Sequence, residues 1–427
     1  MPDPSSQTPR RRRTPPEPYD QRDSRAARRR AQARYRRRRL VAVAAIVLAV
    51  IMIPITVSWA RAMAQPSSLP VSIHTVEWLR QNNMAWFVNF AERTYYGWKA
   101  PEKGGPQLTA LPEVGGVAVD EEAAGATTAA QPGKRKPAKP KAPRYLPPRI
   151  QPIIRPALKG EGVWHAVTRD VGGRAPLLVT NFRPSADYPR VVVSVAWINH
   201  QNTQLALYPG LEEPPSGSPR GPARVPDSQM HRLLAVFNSG FTRDDGGGGF
   251  AVNGVTYEPF YRDAATVIQN RWGKVNIIAW HAGEKAPKDL MFARQNLALL
   301  VDDGKLNPGT SDRLAWGATL GGESQVWRSG FGIDDHGNLL YVAGPQLSIE
   351  MLGSALIQAG AVRGMEMDIN TFWPTFDYYA KPGAVDGAQL VRTGDHDLGR
   401  YVTAQDSRDF FAVLSRDPKG DFRTPFD

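Results

Sequence analysis

From about residue 161 the chain alternates short apolar runs with turn-forming clusters: APLLVTNF, RVVVSVAWIN, HRLLAVFN, KVNIIAW, NLALLVDDG, GFGIDDHGNLLYVAG and VRGMEMDIN. Runs of this length, bounded by Gly, Asp and Asn, predict strands. In QLSIEMLGSALIQAG the period changes. Met351, Leu352, Ala355, Leu356 and Ala359 fall on one face of a helix, Ser348 stands at its N-cap and Gly360 at its end. Many strands and few helices predict an α+β fold, a mixed β-sheet domain flanked by helices. Upstream, residues 72–98 carry Val76, Leu79, Met84, Phe87, Val88 and Phe90 at helical spacing, interrupted at Asn82-Asn83. This predicts a helix or helix pair that either docks on the main domain or forms a dimer contact, with docking favoured because an exposed apolar stripe is a liability. Further upstream, LVAVAAIVLAVIMIPITVSWA, residues 40–60, runs for 21 residues without a charge, enough to cross a hydrocarbon core of about 30 Å.

Charge sharpens this division. The chain carries +12 overall, of which residues 1–39 hold +10 and residues 40–160 hold +7, leaving −5 for residues 161–427. A nucleic-acid partner needs a basic face on a folded domain, and the globular part is mildly acidic. Fourteen Lys and Arg precede the apolar run and Arg61 alone closely follows it, which predicts a cytoplasmic N-terminus and everything after Ala60 outside the cell. The expected segments are a disordered basic cytoplasmic tail (1–39), a single transmembrane helix (40–60), a juxtamembrane helical segment (61–98), a Pro/Ala/Lys-rich stalk (99–160) and an extracytoplasmic domain (161–427). The stalk reading rests on PGKRKPAKPKAPRYLPPRIQPIIRP, whose prolines favour extended polyproline II. Cysteine is absent, which excludes disulfides, a thiol nucleophile and cysteine metal sites.

Common catalytic signatures are missing. The sequence has no G-x-S-x-G, no H-E-x-x-H and no G-x-x-x-x-G-K-[ST], and its seven histidines show no metal-ligand spacing. No metal and no cofactor are expected. DDGGGG (244–249) lacks the lysine of a phosphate loop, and Asp302-Asp303-Gly304 and Asp334-Asp335-His336-Gly337 have the form of hairpin turns. What remains are polar residues at strand ends. Asn238 follows an apolar run with Gly240 close behind, Arg328 and Ser329 open a strand, and Glu366, Asp368 and Asn370 alternate with Met365, Met367 and Ile369. In a regular strand that spacing places the three polar residues on one face, with the Glu366 and Asp368 backbones about 6.6 Å apart.

The order of these elements, Asn-x-Gly-Phe, a Gly-rich turn, Asp-Gly, Arg-Ser-x-x-Gly-x-Asp-x-x-Gly, an amphipathic helix and a strand ending in Asp, resembles the phosphodiester glycosidase family over roughly residues 235–376. Asn238, Ser239 and Gly240 resemble that family's Asn-Gly-Gly element, Arg328 and Ser329 its Arg-Thr pair, and Asp368 the aspartate of its Asp-Gly-Gly-Gly-Ser signature. Here Ile369, Asn370 and Thr371 replace the glycines and Glu366 stands where asparagine is common. The resemblance implies hydrolysis of a sugar-phosphodiester linkage in an envelope glycan. Asp368 would be base or nucleophile, Glu366 its partner and Arg328 the phosphate ligand, with Asn238, Gly240, Ser329, Asn370 and Trp373 holding substrate. The alternative is a non-catalytic glycan-binding or envelope-organising protein on the same fold. Oligomeric state is not encoded in any feature of the sequence.

Overall fold

The structure is a computed structural model that describes residues 21–65, 69–112, 145–171, 174–243, 245–317, 325–384, 386–391 and 398–416. The chain forms two compact units, 1–65 and 66–427. Among its described residues the first holds one helix, α1 (Gln21–Met63), 43 residues long with Pro54 inside it. It is long and apolar enough to cross a membrane, as a single-pass anchor or a signal sequence would be. The helix reaches back to Gln21, which corrects the expectation of disorder up to residue 39. Arg and Ala are good helix formers, and extending a helix already nucleated by the apolar run costs little.

The second unit opens with α2 (Val71–Leu79) and α3 (Ala85–Trp98). Between them the chain leaves helical geometry at Asn82 (φ −99°) and Asn83 (φ +61°). Asparagine tolerates the left-handed region better than most residues, which makes the break local.

Three sheets follow. An eight-stranded sheet has Leu339–Leu347, Val326–Asp334 and Ala361–Ile369 as neighbours near its centre, and two five-stranded sheets are built around Leu290–Asn296 and around Leu233–Asn238 with Phe410–Ser415. The α+β class holds. The mixed sheet does not: every described pairing between strands is antiparallel. Four of the pairs, Val326–Asp334 with Leu339–Leu347 among them, are joined by turns of two to four residues, too short for the crossover that a parallel pair needs.

The main core lies between the sheets and unites Phe237 and Phe411 with Val267 and Ile277 and with Phe331, Tyr341, Met365 and Met367. The other face of the large sheet is covered by a helix, Ile349–Gln358, whose N-cap Ser348 accepts from the Met351 amide at 3.2 Å and whose Leu352 and Leu356 are fully buried. A side chain at Gly330 would stand 3.2 Å from both leucines, and one at Gly364 would stand 3.1 Å from Leu356. These glycines form a flat bed that lets the helix approach the sheet closely.

The domain begins earlier than residue 161. Ile150, Ile154 and Leu158 are buried, Glu161 and Arg183 form a fully buried ion pair at 2.8 Å, and Pro112 accepts a hydrogen bond from Asn181 at 3.1 Å. The expected stalk is thus laid on the domain at both ends, because its apolar side chains have a core to join. Its basic middle, residues 113–144, lies outside the described residues, as do residues 1–20 of the tail.

Candidate functional site

The strand Ala361–Ile369 pairs Gly330 with Glu366 and Arg328 with Ile369. It therefore holds one more residue between those pairs than its partner does. Such a bulge interrupts alternation and re-aims side chains, which corrects the expectation that Glu366, Asp368 and Asn370 share a face. Glu366 turns to Arg328 and Asp368 turns to Arg408.

Glu366 and Arg328 make a closed unit. Arg328 donates to a Glu366 carboxylate oxygen, to the Leu347 carbonyl at 3.0 Å and to the Trp316 carbonyl at 3.1 Å. Burial raises the Glu366 carboxyl to about 7 against the pull of Arg328, and its second oxygen is buried without a partner. Asn238 and Ser329 belong to a different chain of hydrogen bonds. Tyr341 donates to Asn238 Oδ1 at 2.8 Å, Asn238 Nδ2 donates to Ser329 Oγ at 3.0 Å, and Ser329 Oγ donates to the Asp368 carbonyl at 2.7 Å. The Asp368 amide in turn donates to the Ser239 carbonyl at 3.1 Å. This network fixes the backbone that carries Asp368.

Asp368 opens onto a cavity of about 250 Å³. Its floor and sides come from Asp368–Trp373, Phe241, Asp245 and Arg408, and α2 and α3 supply Ile73, Val76, Glu77, Arg80, Glu92 and Tyr96. Arg328, Glu366, Asn238, Gly240 and Ser329 are not among the lining residues. Asn370 is, and it adopts φ +76°. That backbone is left-handed, and the buried Oδ1 of Asn370 has no hydrogen-bond partner. Trp373 packs with Leu69, Phe372 and Ile73.

Arg408 connects these parts. Its guanidinium donates to Asp368 Oδ1 at 3.0 Å and to the Gly240 carbonyl at 3.4 Å, and lies 4.3 Å from the Trp373 ring centroid. Its Nε is buried without a partner. Burial opposes the charge on Arg408, but Asp368 overcomes that and raises its pKa. Burial pushes the Asp368 carboxyl up to about 8, with Arg408 pulling it down. Two further buried pairs hold the loop in place: Arg294 with Asp409 and Arg400 with Asp406, each at 2.7 Å. On the cavity's other side, burial also raises Glu77 and Glu92, opposed by Arg408 and Arg80 respectively.

Two features of this cavity were missed in the sequence. AQDSRDFFAVL places a dense cluster of charge directly against an apolar strand, a pattern that marks a strand-end site as well as MEMDIN does. Glu77 and Glu92 sit inside helices whose apolar stripe drew the attention. Among the described residues one grouping of metal-capable donors occurs, Asp334, Asp335 and His336. The Asp334 carboxylate already accepts from Trp197 Nε1 at 3.2 Å and from the His336 and Asn338 amides at 3.0 and 2.7 Å, as a hairpin turn requires.

No family model and no curated protein sequence matches this chain. Solved structures with distant likeness include a hypothetical protein from Synechocystis (15% identity, TM-score 0.33, covering 59% of this chain and 65% of that one). Another is the catalytic domain of zebrafish N-acetylglucosamine-1-phosphodiester alpha-N-acetylglucosaminidase auto-inhibited by its pro-peptide (11%, TM-score 0.37, covering 59% and 86%). A third is a putative exported protein from Burkholderia pseudomallei (11%, TM-score 0.25, covering 53% and 74%). All three TM-scores lie below 0.5, and the match spans 65% of the Synechocystis chain's own length.

Proposed function

We propose that the protein is a membrane-anchored hydrolase that cleaves a sugar-phosphodiester linkage in a cell-envelope glycan, with its N-terminus cytoplasmic and its main domain outside. The observation that carries this reading is the grouping of Asp368, Arg408 and Trp373 at one cavity. An arginine with a free Nε supplies fork-shaped donors for a phosphodiester anion. The indole offers an apolar face to a sugar ring. A carboxyl raised to about 8 exchanges protons near physiological pH.

In this reading the phosphodiester displaces Asp368 from Arg408, and the phosphate role expected of Arg328 passes to Arg408. Water attacks the anomeric carbon and gives its proton to the Asp368 carboxylate. The bond from that carbon to oxygen breaks, and its electron pair leaves with the phosphate monoester held by Arg408. Phosphate is a good leaving group, so one carboxylate near the anomeric carbon suffices for an oxocarbenium-like transition state. Asn238 and Ser329 act through the Asp368 backbone, and the Glu366–Arg328 pair supports the strand beneath.

The test is phosphorus NMR of the full-length chain in detergent with a panel of sugar-1-phosphodiesters and envelope polysaccharide, beside Asp368→Asn and Arg408→Met. Phosphomonoester release by the wild type, reduced about 10²-fold or more in either variant, supports the reading, as does a rate that climbs with pH toward 8. Substrate resonances broadened by the protein without release would favour the glycan-binding alternative.

A further inference from the structure

The inner and outer faces of α3 differ in kind. Val88, Glu92 and Tyr96, spaced by four, point inward: Val88 is buried, Glu92 pairs with Arg80 at 2.9 Å and Tyr96 hydrogen-bonds Thr371 at 2.9 Å. The outer face carries Trp86, Phe87, Phe90 and Trp98, which are 69%, 45%, 63% and 84% exposed. At 100° per residue Trp86, Phe90, Phe87 and Trp98 fall within about 120° of the helix circumference, so they form one stripe. Single exposed apolar residues need no explanation, whereas a stripe of four large aromatics on one helix does.

We propose that the outer face of α3 is a lipid-docking surface, which sets Trp86, Phe90 and Trp98 into the headgroup region of the membrane that holds α1. Three observations fix the occupant. First, the chain has seven residues between Met63, the end of α1, and Val71, the start of α2. Fully extended, seven residues reach at most about 25 Å. A chain anchored through α1 therefore keeps the helix pair within reach of the bilayer surface. Second, the stripe is aromatic rather than Leu- or Ile-rich, and its two ends, Trp86 and Trp98, carry the apolar ring with a polar N–H that is enriched where acyl chains meet headgroups. Third, the charge is right for anionic headgroups: Arg93 and Lys99 are exposed, and the only acid in α3, Glu92, is on the inner face. The surface rests on the membrane anchoring through α1 proposed above and is independent of the hydrolase chemistry.

The absence of cysteine makes a clean test available. Full-length Phe90→Cys and Trp98→Cys, each carrying a nitroxide label, are reconstituted in nanodiscs containing anionic lipid, with Lys305→Cys as the aqueous reference. Both replaced residues are exposed, so neither change removes core packing. The ratio of collision with oxygen to collision with an aqueous nickel chelate should be at least fivefold higher at positions 90 and 98 than at 305. A ratio equal to that at 305 overturns the proposal. So does dipolar broadening between labels on two copies, which would show a second chain covering the face.

Discussion

The buried carboxyl of Asp368 makes a quantitative prediction about stability. Its side chain is 4% exposed, and it holds its proton up to about 8 against an ordinary 3.8, because burial outweighs the attraction of Arg408. A carboxyl whose folded pKa is raised favours the folded state at low pH, where both states are protonated. That advantage is lost as pH rises, because the unfolded chain releases its proton from about 4 and the folded one only near 8. At 1.36 kcal/mol per tenfold change in proton affinity, the wild type should lose on the order of 4 kcal/mol between pH 5 and pH 9. Asp368→Asn keeps the shape and cannot ionise. All other titrating groups are common to both proteins and cancel in the difference. The Asn variant should therefore gain on the wild type by roughly 10 °C in melting temperature across that range, taking about 2–4 °C per kcal/mol for a domain near this size. The assay is thermal unfolding of both full-length proteins followed by circular dichroism at five pH values in one detergent. A difference that stays flat, or wild type gaining as pH rises, would refute the reasoning and make Asp368–Arg408 an ordinary ion pair, charged throughout.

Other expectations follow from the same contacts. Ser329→Ala removes the hydroxyl that links Asn238 to the Asp368 carbonyl; it should cost about 1–3 kcal/mol and lower kcat at least tenfold with little change in KM. An unchanged kcat would show that the network does not position Asp368. Arg183→Met leaves Glu161 buried and uncompensated and should lower stability by roughly 3–5 kcal/mol, read as a melting-temperature loss of about 10 °C, while residual activity at low temperature persists. Trp373→Phe keeps an aromatic ring against Leu69 and Phe372 but reduces the stacking surface under Arg408; KM should rise severalfold with kcat nearly constant.

Much of this architecture can be read from residue patterns, and the failures have definite physical causes. The helix over 349–358, with its Ser348 cap and fully buried Leu352 and Leu356, follows from spacing alone because cap and stripe agree. Asn238, Ser329 and Asp368 were singled out as strand-end polar residues, and the structure joins them by hydrogen bonds. The relation of Glu366 to Asp368 was misread because alternation assumes a regular strand, and a one-residue bulge leaves no mark on hydrophobic pattern. Arg408 escaped notice because its importance lies in a contact with Asp368, 40 residues away, and side-chain contact across a sheet is not periodic. The same holds for Glu77 and Glu92, which reach the cavity only because the kink at Asn82-Asn83 folds α2 and α3 into a pair.

The place of the Phe410–Ser415 strand bears on when the protein becomes competent. It lies between Leu233–Asn238 and Thr203–Tyr208, antiparallel to both. It is also the latest in sequence of the described strands. A ribosome makes the chain from the N-terminus, so these two older strands wait with unpaired edges until residue 415 has emerged. Arg408 and Asp409 arrive in the same stroke, immediately ahead of that strand. Closing the sheet and completing the cavity are thus one event, and a nascent chain short of it lacks the guanidinium that Asp368 hydrogen-bonds. The order of synthesis delivers the candidate site's last residue, Arg408, after every other described strand has been made.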